Sequence, residues 1–495
     1  MIISLKITFD ICSPILNGIW DKAILDSNFP GKLKLADITP IFKSVDATCK
    51  KNYRPISVLP VVSKLFERIM QKQIFPYLHE FLSPYLCGYR KGYSTQYALV
   101  GFIEKWKQML DNRGYSGAVF MDLSKAFDTI NHELLVAKLY AYGFDKEALK
   151  LIRSYLAERW QRTKINKSFS SWTELLQGVP QGSVLGPLLF NIYINDLFFI
   201  IEQTDICNYA DDNTINACDM SLENLLKRLE HDSHLAIEWF QHNYMKLNEG
   251  KCHLLISGFK HEAIWANIGG KRIWESNEEK LLGINIDRDL KFTSHVSNIC
   301  AKAGQKLTAI SRIAKYMSLE KRRLLIKSFF ESQFDYCSLV WMCHSRTLNN
   351  RINNLHYRAL RLIYNDDPRS FIELLKKDGS VTIHHRNIQK LGIELYKTKN
   401  NLSPIMMKGI FPDRTYSGPN LRSQIDFEVP HVNTVKGQET LRFLGPKIWD
   451  IIPGRIKEAQ SLSIFKNKIK NWVPEECPCR LCKDYIQGLG FVSIT

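Results

Sequence analysis

No stretch of this chain is long and uncharged enough to be read as a membrane span. The most apolar run, residues 190–201, carries Asn195 and Asp196. The N-terminus has no secretory pattern, because Lys6 and Asp10 interrupt its apolar opening and no small-residue cleavage site follows. Twelve cysteines are scattered without the spacing of a disulfide framework, which suits a reducing compartment. There is no internal repeat and no low-complexity tract. Acidic residues are in deficit, 50 against 67 basic ones, for a formal net charge of +17. The expectation is a soluble intracellular protein with no membrane partner. Its 495 residues, 45% of them hydrophobic, are enough for several domains and a sizeable core. The basic surplus supplies the long-range attraction that binding to a phosphate backbone requires, and such binding weakens steeply with salt.

Against that background three short stretches occur in order: Asp122 at the end of an apolar run, Pro180-Gln181-Gly182-Ser183, and Tyr209-Ala210-Asp211-Asp212. Gly117-Ala118-Val119-Phe120-Met121 reads as a buried strand that delivers Asp122 at its carboxyl end. A helix is expected next, capped by Asn131 and closed at Gly143. The apolar segments around Asp211-Asp212-Asn213 read as a hairpin with both Asp at its tip. Taken singly, Asp-Asp in a hairpin is ordinarily a solvated turn, and Asp122 a helix cap. Together, with Pro-Gln-Gly-Ser between them, they gather three carboxylates that repel unless cations neutralise them. That is the constellation of a template-dependent nucleotide polymerase. Two divalent ions about 3.5–4 Å apart stabilise both oxygens of an in-line phosphoryl transfer.

Longer matches make the likeness more specific. Asn52-Tyr53-Arg54-Pro55-Ile56-Ser57 is followed by Ser63-Lys64-Leu65-Phe66-Glu67, then by Gly88-Tyr89-Arg90-Lys91-Gly92-Tyr93-Ser94-Thr95. Next come Asp122-Leu123-Ser124-Lys125-Ala126-Phe127-Asp128 and Gln177-Gly178-Val179-Pro180-Gln181-Gly182-Ser183-Val184-Leu185-Gly186-Pro187-Leu188. Leu281-Leu282-Gly283-Ile284-Asn285-Ile286-Asp287 ends the series. From about residue 30 to about residue 300 the chain resembles the reverse transcriptase of a non-LTR, LINE-type, jockey-like retrotransposon.

The resemblance implies an α+β right-hand polymerase of fingers, palm and thumb, with an antiparallel palm sheet and a mainly helical C-terminal region. It implies an RNA template, a DNA primer or target, deoxynucleoside triphosphates, and two Mg2+ ions with Mn2+ as substitute. Asp122, Asp211 and Asp212 would be the catalytic carboxylates and, with the Leu123 backbone, the metal ligands. Phe127 would lie against the sugar of the incoming nucleotide and exclude a 2′-hydroxyl; the plain alternative is a core Phe. Gln181 and Gly182 would flank the incoming base and sugar, the glycine allowing close backbone approach. Arg54 would hold the triphosphate, unless it is a surface Arg with a structural partner. Lys251 would protonate the pyrophosphate, unless it is an edge residue of the strand that follows. Asn213 departs from the family's usual Thr and reads as an equivalent small polar turn residue. Tyr89, Tyr93 and Trp106 are available to stack on single-stranded template but, being more often core, are not placed in the site.

The expected organisation is an N-terminal helical remnant over 1–30, fingers and palm over 31–289, a helical thumb over 290–365, and a C-terminal region over 366–495. Residues 281–287 read as one strand closing the palm. Residues 292–317, 319–341 and 348–364 read as helices, and residues 412–437 as a linker or irregular surface. Cys477, Cys479 and Cys482 suggest the start of a zinc site. No fourth ligand follows them, His431 is distant, and the knuckle spacing of many LINE proteins is absent, so a plain reduced cysteine cluster is favoured. Members of this family resemble a two-enzyme machine with an endonuclease ahead of the polymerase. The expectation is therefore either a copy truncated before that domain or a sequence that begins at an internal Met, without nicking activity and working in the nucleus if it inserts at chromosomal DNA. The alternative to an active enzyme is a catalytically inactive RNA-binding relic. An intron-type maturase is disfavoured by the form of the Gly-Val-Pro-Gln-Gly-Ser block.

Overall fold

The computed structural model describes residues 9–43, 46–259, 262–414, 426–474 and 476–482. The strands, and the helices of eight residues or more, run as follows. First come α1 (Phe9–Leu25), β1 (Leu35–Phe42), β2 (Tyr53–Val58), α2 (Val61–Leu78), α3 (Thr95–Asp111) and β3 (Tyr115–Ser124). Next are α4 (His132–Ala141), α5 (Lys146–Leu156), β4 (Arg159–Ile165), β5 (Ser168–Phe169), β6 (Thr173–Leu175) and α6 (Gly186–Ile194). Then follow β7 (Asp205–Tyr209), β8 (Asp212–Asp219), α7 (Leu222–His242), β9 (Lys246–Leu247) and β10 (His253–Ser257). The last strands are β11 (Trp265–Ile268), β12 (Lys271–Ser276), β13 (Glu278–Leu281) and β14 (Ile284–Asp287). The rest is helical: α8 (Thr293–Ala314), α9 (Arg346–Ile363), α10 (Phe371–Asp378), α11 (Ile383–Lys399), α12 (Leu441–Ile451) and α13 (Leu462–Ile469).

The central sheet has strand order β11-β12-β10-β3-β8-β7, with β9 also paired to β3. β3 lies antiparallel to both β8 and β10, and its residues are buried almost throughout. Side chains alternate across a strand, so β3 divides two cores. Ala118 and Phe120 join the core that contains α3 and α8, whereas Val119, Met121 and Leu123 join the one that contains α6 and α7. Asp122 follows the parity of Phe120 and emerges where that face runs out of apolar cover. A smaller sheet, β2-β1-β4-β5 with β6 on β4, stands in front of it.

Several expectations change here. The expected N-terminal helix is present as α1, and its segment is packed in place: Trp20 and Phe29 stack on Phe66 at 6.1 and 5.3 Å, and Phe29 meets Tyr155 edge-on at 5.1 Å. Residues 281–287 are not one strand. β13 and β14 form a hairpin whose turn, Leu282-Gly283, has φ of 47° and 83°, as a type I′ turn demands. The helix expected over 319–341 is broken into Leu319–Leu325, a π turn Ile326–Phe330, a 3-10 turn Glu331–Phe334 and Ser338–Trp341. Four-residue spacing drifts around an α-helix, and the wide turn keeps buried Ile326, Phe330 and Phe334 on the core side. Of the two readings of 412–437, its end is irregular surface and not a free linker, since Asn433 and Thr434 donate backbone N–H groups to the Asp111 carboxylate. Residues 415–425 of it lie outside the described residues. The cap of α4 is as expected: the Asn131 Oδ1 accepts from Leu134 N at 2.9 Å.

One buried carboxylate fixes the loop between β6 and α6. Glu67 on α2 is fully buried and accepts from Val184 N at 2.6 Å and Leu185 N at 3.1 Å, just ahead of α6. Acceptors at a helix N-terminus satisfy otherwise orphaned N–H groups. Glu67→Ala leaves those donors buried without partners, and urea denaturation is expected to show a loss of roughly 2–4 kcal/mol. A loss below about 0.5 kcal/mol would mean that the loop is held by something else.

Candidate active site

β3 and β8 pair from Tyr115↔Asp219 to Asp122↔Asp212, so the last cross-strand pair is two carboxylates on one face. Such partners have Cβ atoms about 5 Å apart, and like charges there repel. β7 and β8 close on each other through Tyr209↔Asp212. The turn is therefore Ala210-Asp211, with Ala210 at φ 60°. Only Asp211 sits at the tip. Asp212, expected beside it there, is the first residue of β8.

The turn is braced from below and behind. The buried Asn208 side chain donates to Ala210 O at 3.0 Å and to Asn213 Oδ1 at 2.8 Å, and Asn213 Nδ2 donates to Asp211 O at 3.2 Å. Asn213 is thus a buried strand residue and not the turn residue read from the sequence. Behind the hairpin, Cys87 N donates to Asn208 O. Gly88 comes so close that a Cβ there would lie 2.4 Å from Ala210 N.

Charge in the site is uneven. Lys251 Nζ sits 2.8 Å from Asp122 Oδ2, and Asn248 donates to the same oxygen at 3.2 Å. Lys251 lies in the 3-10 turn before β10, opposite Asp122, rather than on a strand edge. Among the described residues, Asp212 has no such cation in contact. Its carboxyl is pushed up to about 6 from 3.8, by burial first and then by Asp211 and Asp122, while Lys43 and Arg54 act the other way. Arg54 on β2 therefore faces the acidic cluster. So does Lys43 just after β1, which the sequence reading did not single out.

Phe127 lies half-buried beneath this face, stacked on Phe190 at 4.6 Å and met edge-on by Tyr89 at 5.9 Å. Tyr89 stands at the site as well. Its hydroxyl is pushed up to about 12, by burial and next by the charge of Asp211. Trp106 is fully buried, and Tyr93 packs on the same core under Arg90. Gln181 Nε2 donates to Asp128 Oδ1 at 2.9 Å, and Gln181 O accepts from Ser57 N of β2 at 2.7 Å. Gly182, at φ 122°, would bring a Cβ to 2.6 Å from Ser57 O. The close approach it allows in the structure is to β2, so this loop and the strand carrying Arg54 are joined. The Leu123 side chain is buried in the core, and its backbone pairs with Leu247.

Three crowded carboxylates are a donor set that fits divalent cations. On a sheet whose strands β10, β3, β8 and β7 run antiparallel, with β12 added parallel to β10 and with Arg54 and Lys43 facing them, they define the palm of a right-hand polymerase. Residues 42–286 match the family model described as reverse transcriptase (RNA-dependent DNA polymerase). Curated relatives from Drosophila melanogaster narrow the group. One is a probable RNA-directed DNA polymerase from transposon BS, 28% identical over 68% of this chain and 39% of that protein. Another is the RNA-directed DNA polymerase from mobile element jockey, 26% identical over 68% of this chain and 38% of that protein. Residues 42–286 are thus a reverse transcriptase domain, similar to those of the non-LTR retrotransposons, in a family that uses divalent metal ions. The aligned part spans about two fifths of the length of these relatives. Among solved structures, apo telomerase from Candida tropicalis aligns with a TM-score of 0.40 at 13% identity, over 74% of this chain and 64% of that one.

The raised Asp212 carboxyl has a consequence for stability. Between about pH 4 and pH 6 the folded chain binds more protons than the unfolded one, so ionisation of Asp212 destabilises the fold as pH rises through that window. Asp212→Asn removes the repulsion. Asp212 is exposed as a residue and partly screened by water, so the expected gain above pH 6 is on the order of 1 kcal/mol. The gain should vanish below about pH 4. Urea denaturation across this range checks it, and a variant no more stable than wild type at pH 7 would contradict the crowding.

Proposed function

We propose that this chain is an RNA-directed DNA polymerase that extends a DNA 3′-end along an RNA template, taking deoxynucleoside triphosphates as substrates. The observation that carries the proposal is the cross-strand pair Asp122 and Asp212 with Asp211 in the adjoining turn. These three, with the Leu123 backbone, are the residues to hold two Mg2+ ions, or Mn2+ in their place. Bound there, the ions would supply charge stabilisation to the attacking and leaving oxygens of the transfer.

The remaining roles follow from what lies around the cluster. Arg54, and with it Lys43, bind the triphosphate from the strand pair in front. Gln181 and Gly182 orient the incoming base and sugar, with Asp128 fixing the Gln181 amide. Phe127, backed by Phe190, presents its ring to the sugar and excludes a 2′-hydroxyl. Lys251, which neutralises Asp122 when no nucleotide is bound, is the group to donate a proton to the pyrophosphate. Fingers and palm span 31–289, and the helices over 290–365 form a thumb that grips the duplex of template RNA and primer or target DNA. Work at chromosomal DNA would place the protein in the nucleus. The alternative of an inactive RNA-binding relic is disfavoured by three intact carboxylates and a braced turn.

The test is incorporation of labelled deoxythymidine triphosphate on an RNA template with a DNA primer in magnesium. Asp211→Ala is expected to lower extension by on the order of 10³-fold, and Lys251→Ala by about 10²-fold. Phe127→Ala is expected to raise use of ribonucleotides about tenfold relative to deoxynucleotides. Extension that survives Asp211→Ala would overturn the assigned site. No extension by a folded, RNA-binding wild type would favour the relic.

A further inference from the structure

The three C-terminal thiols gain a fourth partner that sequence spacing does not reveal. His384, in the first turn of α11, lies more than ninety residues ahead of Cys477. Its Nε2 nevertheless sits 3.1 Å from Cys479 Sγ. Among the described residues, His384, Cys477, Cys479 and Cys482 form the one group of this kind: a ligand atom from each, all within 4.8 Å of one another. His384, Cys477 and Cys479 are buried and Cys482 is half-buried. A tetrahedral zinc with bonds of about 2.3 Å to sulfur and about 2.0 Å to nitrogen sets its ligand atoms roughly 3.5–3.8 Å apart. The widest pair here has to close by only about 1 Å.

We propose that His384, Cys477, Cys479 and Cys482 form a structural Zn2+ site. Three soft thiolates and one imidazole in a tetrahedral cluster select zinc over the hard, oxygen-seeking ions suited to the carboxylate site. All four positions are filled by protein, which leaves no open position for a reacting water, so the site is closed and structural.

The site has a definite mechanical role. The tail after α13 is already pinned to α11 by Gln389, whose Nε2 donates to Lys470 O at 3.0 Å and Trp472 O at 2.8 Å. Zinc adds a second anchor at His384. α11 in turn reaches α3, on the back of the catalytic sheet, through the 2.7 Å hydrogen bond from Tyr97 Oη to Glu394 Oε2. The metal therefore locks the C-terminal region onto the helix that touches the polymerase core. This inference does not depend on how the carboxylate site is read.

The test is metal analysis by mass spectrometry of the full chain, purified from cells supplied with zinc. About one zinc per chain is expected in the wild type, with loss in Cys479→Ser and in His384→Ala. Cys343→Ser, a thiol outside the set, should keep its zinc. Because the ligand variants can also fail to fold, cobalt reconstitution of the wild type provides an independent reading: a sulfur-to-cobalt charge-transfer band and tetrahedral ligand-field bands. Chelator treatment should speed tryptic cleavage after Lys470 and Arg480, which are exposed in a held backbone. A folded wild type without stoichiometric zinc and without the cobalt–thiolate spectrum overturns the site. Full zinc retention by His384→Ala overturns the four-ligand set.

Discussion

Everything at the candidate active site depends on the register between β3 and β8. Pairing is continuous from Tyr115↔Asp219 to Asp122↔Asp212, and side chains alternate faces with a period of two. A slip of one residue would carry Asp122 to the face of Met121 and Leu123, inside the other core. The apolar residues of β3 prevent this because both faces are filled: Phe120 and Val119 each have a core of their own. Packing energy spread over the whole strand thus positions a single carboxylate at its end.

That position is electrostatically unfavourable in the absence of cations. Asp212 is partly desolvated, and it is also held next to Asp211 and opposite Asp122, so its carboxyl rises to about 6. The hairpin does not relax, because Asn208 and Asn213 tie the turn from within and Gly88 backs it closely enough to forbid a side chain. Functional sites commonly hold such strain where the surrounding structure over-determines it. The front of the site is fixed by similar means. Gln181 and Gly182 are joined to β2 at Ser57, and the buried Glu67 holds the residues that follow. The loop and the strand that carries Arg54 are therefore held together.

Much of this was legible in the sequence, and the limits were physical. The strand before Asp122, the capped helix after it and the hairpin at 205–219 were readable because apolar periodicity and turn chemistry are local. The individual roles within the hairpin were not: Asn213 resembles a turn residue by type, and only the register puts it in the strand beneath the turn. Gly283 signalled a turn inside 281–287, yet the flanking apolar pattern favoured one strand. Lys43 has no motif of its own and becomes notable only because β1 and β2 face the acidic cluster. His384 was beyond reach, since nothing in its neighbourhood marks it and its partners lie at the other end of the C-terminal region.

The central claim is that this register builds a binding site for divalent cations from Asp122, Asp211 and Asp212. Electron paramagnetic resonance of Mn2+ titrated into the full chain, with template, primer and a deoxynucleoside triphosphate, measures that directly against Asp122→Asn. Two bound ions in the wild type and a weakening of about tenfold or more in the variant are predicted. Equal binding by both proteins would contradict the account.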